Sequence, residues 1–194
     1  MTATDRPTRE NPAERVPGGR ELAERLAFAY GTGWIALFAM ACACALLPSA
    51  RWIAQHALAL DLHAHIRPAP PAAIDTFGSL LITNLRATAW PLVPGALGAE
   101  RSRSSRWLVD SAVLISVALN LLPVGAALGI YRRELVPYLP HLPLELYAIT
   151  AGPATWLLIA HGRCSARQLP VVAASISVAL AGAAFLETWA VPQR

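Results

Sequence analysis

The chain contains no lysine; all sixteen of its basic residues are arginine. Charge of either sign is scarce, at 14% of 194 residues against about 25% in ordinary soluble domains. A soluble domain of this length needs charge to cover its surface, so much of this surface must meet something other than water. The net charge of +4 is scattered over short segments and forms no basic stripe, which argues against a nucleic-acid partner. Cysteine is limited to Cys42, Cys44 and Cys164, an odd number without paired spacing, and that excludes a disulfide framework. Cys42-Ala43-Cys44 sits inside an apolar run and reads as two small helix residues in lipid. The preceding Ala39-Met40-Ala41 lacks the leucine expected upstream of a lipidated cysteine. The metalloprotease His-Glu-x-x-His pair, the Gly-x-Ser-x-Gly elbow, the phosphate-binding loop and the dinucleotide fingerprint are all missing. No catalytic centre is visible, and neither a cofactor nor a bound metal is expected.

What the sequence does have is apolar length, with 55% hydrophobic residues. Residues 26–47 form an uncharged run that, at 1.5 Å per helical residue, matches a hydrocarbon core of roughly 30 Å. The run is too long for a secretory signal core, and further apolar segments follow it. The patterning predicts an all-α, polytopic transmembrane bundle of about five spans, at residues 26–47, 72–97, 108–130, 144–160 and 171–190. Residues 1–25 mix arginine, acid, proline and glycine and read as a mobile cytoplasmic tail, with a helix beginning near Arg20; residues 26–194 are the membrane domain. Residues 49–67 are too polar to span. With Trp52 at headgroup level, they read as an interfacial helix ended by Pro68.

Arginine placement sets the expected orientation. With the N-terminus inside, Arg6, Arg9, Arg15, Arg20, Arg25, Arg101, Arg103, Arg106, Arg163 and Arg167 are cytoplasmic. Arg51, Arg67, Arg132, Arg133 and Arg194 lie outside. The expected location is the plasma membrane, with a cytoplasmic N-terminus. Small residues recur on the later spans, among them Gly125, Gly129 and Gly152, and predict close helix packing.

Few residues are candidates for chemistry. His141 and Glu145 are four apart and share a helix face, with Pro143 suited to the first turn between them. A carboxylate there is favoured by the helix dipole. Arg86 falls near the middle of the second span, on a face with Thr76, Ser79, Thr83 and Trp90. That face is expected to look into the bundle, where Glu145, Asp110 or Glu187 can pair with the arginine. Asn84 and Thr88 lie on the other side and can bond neighbouring helices. Asp61, His63 and His65 alternate, but in a helical context alternation points them apart, so they are not expected to bind zinc.

The run Leu139-Pro140-His141, then Glu145-Leu146, Ala148 and Ala151-Gly152, resembles the signature of the stage II sporulation protein M family. Asn84 followed by Gly95 and Gly98, and Asn120 followed by Gly125 and Gly129, are similar to the family's two asparagine-bearing helices. The resemblance covers about residues 75–165. Leu142 and Tyr147 stand where the family usually has glycine and often proline, which marks a divergent branch. The resemblance implies a non-enzymatic membrane scaffold or complex subunit linked to cell-envelope remodelling. In such a scaffold His141, Glu145, Asn84 and Asn120 would form an intramembrane polar cluster, to which the position of Arg86 in the second span, unusual for the family, adds the arginine. The expected partners are the lipid bilayer and other membrane or envelope proteins, with an ATPase or a second copy of the chain as alternatives. Two rival functions stand beside it: a transporter subunit, supported by Arg86, Asn84 and the second span interrupted by Pro91 and Pro94, and a membrane-embedded hydrolase using His141 and Glu145, with or without a metal.

Overall fold

A computed structural model describes residues 19–57, 74–96 and 103–190. Most of the tail, the second half of the predicted interfacial helix and the Asp61-His63-His65 alternation lie outside the described residues. Among those described, the chain is helical and contains no strand. Four helical stretches are long and apolar enough to cross a membrane: Gly19–Leu46, Arg106–Pro137, Leu142–Ala160 and Leu169–Trp189.

The first helix, α1 (Gly19–Leu46), opens on two exposed ion pairs, Arg20 with Glu24 and Arg25 with Glu21, each one turn apart. Beyond them it carries no charge. Only Leu22, Leu26, Gly33, Leu37 and Cys44 are buried, a narrow stripe at helical spacing. Tyr30, Trp34 and Met40 flank that stripe half-buried, and the opposite face points outward, with Phe28 78% and Ile35 72% exposed. Trp107, Leu119, Val171 and Val178 are likewise exposed on later helices. Apolar exposure on three of the four long helices, α6 being enclosed by its neighbours, is what lipid contact requires and what a water-soluble chain avoids. The short α2 (Pro48–Ala57) follows, where residues 49–67 were expected to lie at the interface.

The second predicted span is not one continuous helix. It divides into α3 (Ile74–Ala89) and the short α4 (Leu92–Ala96), joined by a turn at Trp90-Pro91 in which the Val93 N–H donates to the Trp90 carbonyl. Pro91 has no N–H to give and disfavours helical geometry at Trp90, so the break falls there. The unit still traverses the bundle. Phe77 meets Trp189 near its start, and Trp90 packs with Val113, Trp156 and Ala160 near its end.

Next come α5 (Arg103–Tyr131), a 3-10 segment Arg132–Tyr138, α6 (Leu142–Ala160), α7 (Leu169–Phe185) and a π turn Leu186–Ala190. Arg132 ends α5 in a left-handed conformation at φ +44°, and its guanidinium donates to the Ala45 carbonyl at the end of α1. Helix α6 is the hub, packing against α1, α3, α4, α5 and α7. Its register with each neighbour gives the topology. Asn84 and Thr88 meet Glu145 and Gly152 in the same order, so α3 runs parallel to α6. Tyr147 meets Ser175 and Leu144 meets Gly182, so α7 is antiparallel. Helices α1 and α5 run together, Leu37 and Ala41 against Gly125 and Gly129, and both oppose α6. The described chain therefore crosses the bundle five times in alternating directions, the second time as a broken helix. The starts of α3 and α6 and the ends of α1, α5 and α7 share one end.

Candidate functional site: a polar cluster at the start of α6

At that shared end the structure gathers ionisable side chains from two segments and an amide from a third. His141 occupies the N-cap position of α6 and is 9% exposed. Its carbonyl accepts from the N–H groups of Leu144 and Glu145, so the backbone that opens α6 also sets the His141–Glu145 spacing. Pro143 lies in the first turn, where its missing N–H removes no hydrogen bond. His141 Nε2 is 3.8 Å from Glu145 Oε2. On the other side, Asn84 Nδ2 of α3 donates to Glu145 Oε1 at 3.1 Å. Burial pushes the His141 imidazole, which lies just outside the span, below the ordinary histidine value and toward its neutral form.

The third ionisable group is Glu187, in the π turn that ends the last helix. One ligand atom each from His141, Glu145 and Glu187 lies within 4.8 Å of the others. Such widened turns concentrate at functional sites. Next to Glu187, the Thr188 hydroxyl is buried and has no hydrogen-bond partner among the described residues. Phe77, Phe185 and Trp189 form an aromatic group at the same end, with ring centroids 5.7 Å and 5.0 Å from Trp189.

The expected membership of the cluster needs three corrections. Arg86 does not face into the bundle. It is exposed on the outer side of α3 with Ser79 and Thr83, and among the described residues no carboxylate lies within ion-pair distance. The packed face of α3 carries Asn84 and Thr88 instead. Asn120 is also outside the cluster. Its amide donates to the Ser116 carbonyl of its own helix at 2.7 Å, and it lines a tight crevice with Thr88 and Pro153. Glu187, considered only as a partner for Arg86, belongs to the cluster. It was findable: in an antiparallel pair of spans, an acid one turn into one helix meets an acid one turn from the end of the next. Asp110, the other proposed partner of Arg86, accepts from the Trp156 indole N–H at 2.9 Å.

A separate groove of about 780 Å³ opens at the opposite end between α1, α5 and α6. Phe28, Leu114, Leu121 and Leu157 line it, with Glu21 and Arg25 at its edge, and neither Arg86 nor the polar cluster reaches it. No protein family, curated protein or solved structure matches the chain.

Proposed function

We propose that this protein is a non-enzymatic scaffold or subunit of a membrane complex. In this reading it is a divergent relative of the stage II sporulation protein M family, lies in the plasma membrane with its N-terminus in the cytoplasm, and serves cell-envelope remodelling. One observation carries the complex-subunit reading. Asp75, Ser79, Thr83 and Arg86 are exposed along one face of α3, at helical spacing, on an element that crosses the bundle. A polar stripe with a full charge is costly against lipid tails, by about 2.5–3.5 kcal/mol for arginine at mid-membrane on insertion scales. A protein partner that bonds these groups removes that cost. The His141–Glu145–Asn84–Glu187 cluster is the internal joint that holds α3 and α7 against α6, so that the stripe is presented in one orientation.

The transport reading needs a cavity beside Arg86, and the groove between α1, α5 and α6 is elsewhere. The hydrolase reading needs a substrate path to His141 and Glu145, which that groove does not supply.

The test uses photo-crosslinking residues at Ser79 and Arg86 in native membranes. Crosslinks to a protein, another membrane component or a second copy of the chain, are expected. Arg86→Leu is expected to lower partner recovery roughly five- to tenfold, equivalent to ~1–1.4 kcal/mol, with the chain's own melting unchanged. Lipid adducts alone, with recovery unaffected by Arg86→Leu, remove the reading.

A further inference from the structure

We propose that His141, Glu145 and Glu187 bind one divalent first-row metal ion, zinc by preference, and that the ion ties α6 to the end of α7. The inference rests on reading the cluster as a structural joint, and it identifies what closes that joint.

Three observations on this chain support it. The donors are a mixed set, one imidazole nitrogen and two carboxylates, which zinc accepts and which suits magnesium or calcium poorly because of the nitrogen. They come from two helical segments and converge within 4.8 Å. Ligand atoms about 2.1 Å from a tetrahedral ion are ~3.4 Å apart, so side-chain rotation of about an ångström closes the set without moving a helix. The second observation is charge. Two half-buried carboxylates face each other, and among the described residues no arginine lies within ion-pair distance of either. Like charges so placed at the edge of a lipid-solvated bundle need a proton or a cation between them, and a divalent ion with neutral histidine balances both. The third is support around the ligands. The Asn84 amide bonds one Glu145 oxygen and leaves the other, Oε2, toward His141 Nε2. Outer hydrogen bonds of this kind orient metal-binding carboxylates. Asn84 is thus a positioning residue and not a ligand.

The experiment strips the detergent-purified full-length chain with a chelator and titrates it with Zn²⁺ alone, reading stoichiometry by calorimetry and elemental analysis and stability by thermal melting. One zinc per chain is expected, with a melting temperature that rises with zinc concentration. Glu187→Gln keeps the side chain's size and is expected to weaken binding at least tenfold and abolish the zinc-dependent rise. Asn84→Ala is expected to weaken it about 10–100-fold while the stoichiometry stays at one. Absence of stoichiometric zinc overturns the proposal, and so does zinc bound equally by the wild type and Glu187→Gln, which would place the metal elsewhere. In either case a carboxylate pair sharing a proton closes the joint. The scaffold reading fails separately: loss of crosslinks at Ser79 and Arg86 removes it whatever the zinc result, and loss of zinc binding leaves those crosslinks in place.

Discussion

Trp156 is only 1% exposed, yet its indole N–H donates to an Asp110 oxygen 2.9 Å away. Removing that donor leaves the half-buried Asp110 carboxylate without the indole bond. Trp156→Phe keeps most of the ring and is therefore expected to cost about 1–3 kcal/mol, read as a lower melting temperature in detergent. Trp90→Phe is the comparison. Its N–H donates to the neutral Ser116 hydroxyl at a half-buried site, so its loss is expected to cost less, about 0.5–1.5 kcal/mol. Equal costs would show that the charge on Asp110 contributes nothing. The same residue scale explains why Arg86 and Asn84 were assigned unequally well. They are two apart on α3 and so point to opposite sides. Helical spacing tells which residues share a face, but not which face turns inward. In lipid the usual clue fails, because apolar side chains point both ways.

At the scale of elements, glycine sets how closely the helices approach. A Cβ built at Gly129 collides with the Ala41 carbonyl oxygen and lies 3.0 Å from Cys44 Cβ; one at Gly125 lies 2.8 Å from the Leu37 carbonyl oxygen. Both obstacles are backbone of α1, which cannot swing aside. Gly129→Ala is expected to push α1 from α5 and destabilise by about 1–3 kcal/mol in a detergent melting series. Gly78→Ala meets nothing within 4 Å and is expected to stabilise α3 by up to about 1 kcal/mol. An unchanged melt for Gly129→Ala would mean that the α1–α5 contact is looser than described. The recurrence of small residues was legible in the sequence, as were the bounds of α6 and the start of α7 to within about two residues; α7 itself stops at Phe185, and the π turn carries the span on to Ala190. Pro91, near the end of the second predicted span, marked an interruption there. Its effect is to split the span, because the chain beyond it turns and buries Leu92 in the core with Leu22 and Leu26.

For the whole molecule, the alternating directions place the start of α1 and the end of the last helix at opposite ends of the bundle. Reporter fusions at the N- and C-termini are therefore expected to report opposite sides of the membrane, the N-terminal one cytoplasmic by the arginine distribution. Reporters on the same side would mean that the α3–α4 unit enters and returns without crossing.

From the sequence alone one could derive the all-helical class, the rough number of membrane-spanning stretches and the pairing of His141 with Glu145. Each of these depends on run length or on spacing within one helix, and both are local quantities. The tertiary structure decided how the second span divides into α3 and α4, that Arg86 faces outward, that Asn120 bonds its own helix, and that Glu187 completes the cluster. Each of these depends on the rotation of a helix about its axis and its register against a neighbour. Those are settled by packing several helices at once around Gly125, Gly129 and Gly152, and no single segment carries that information.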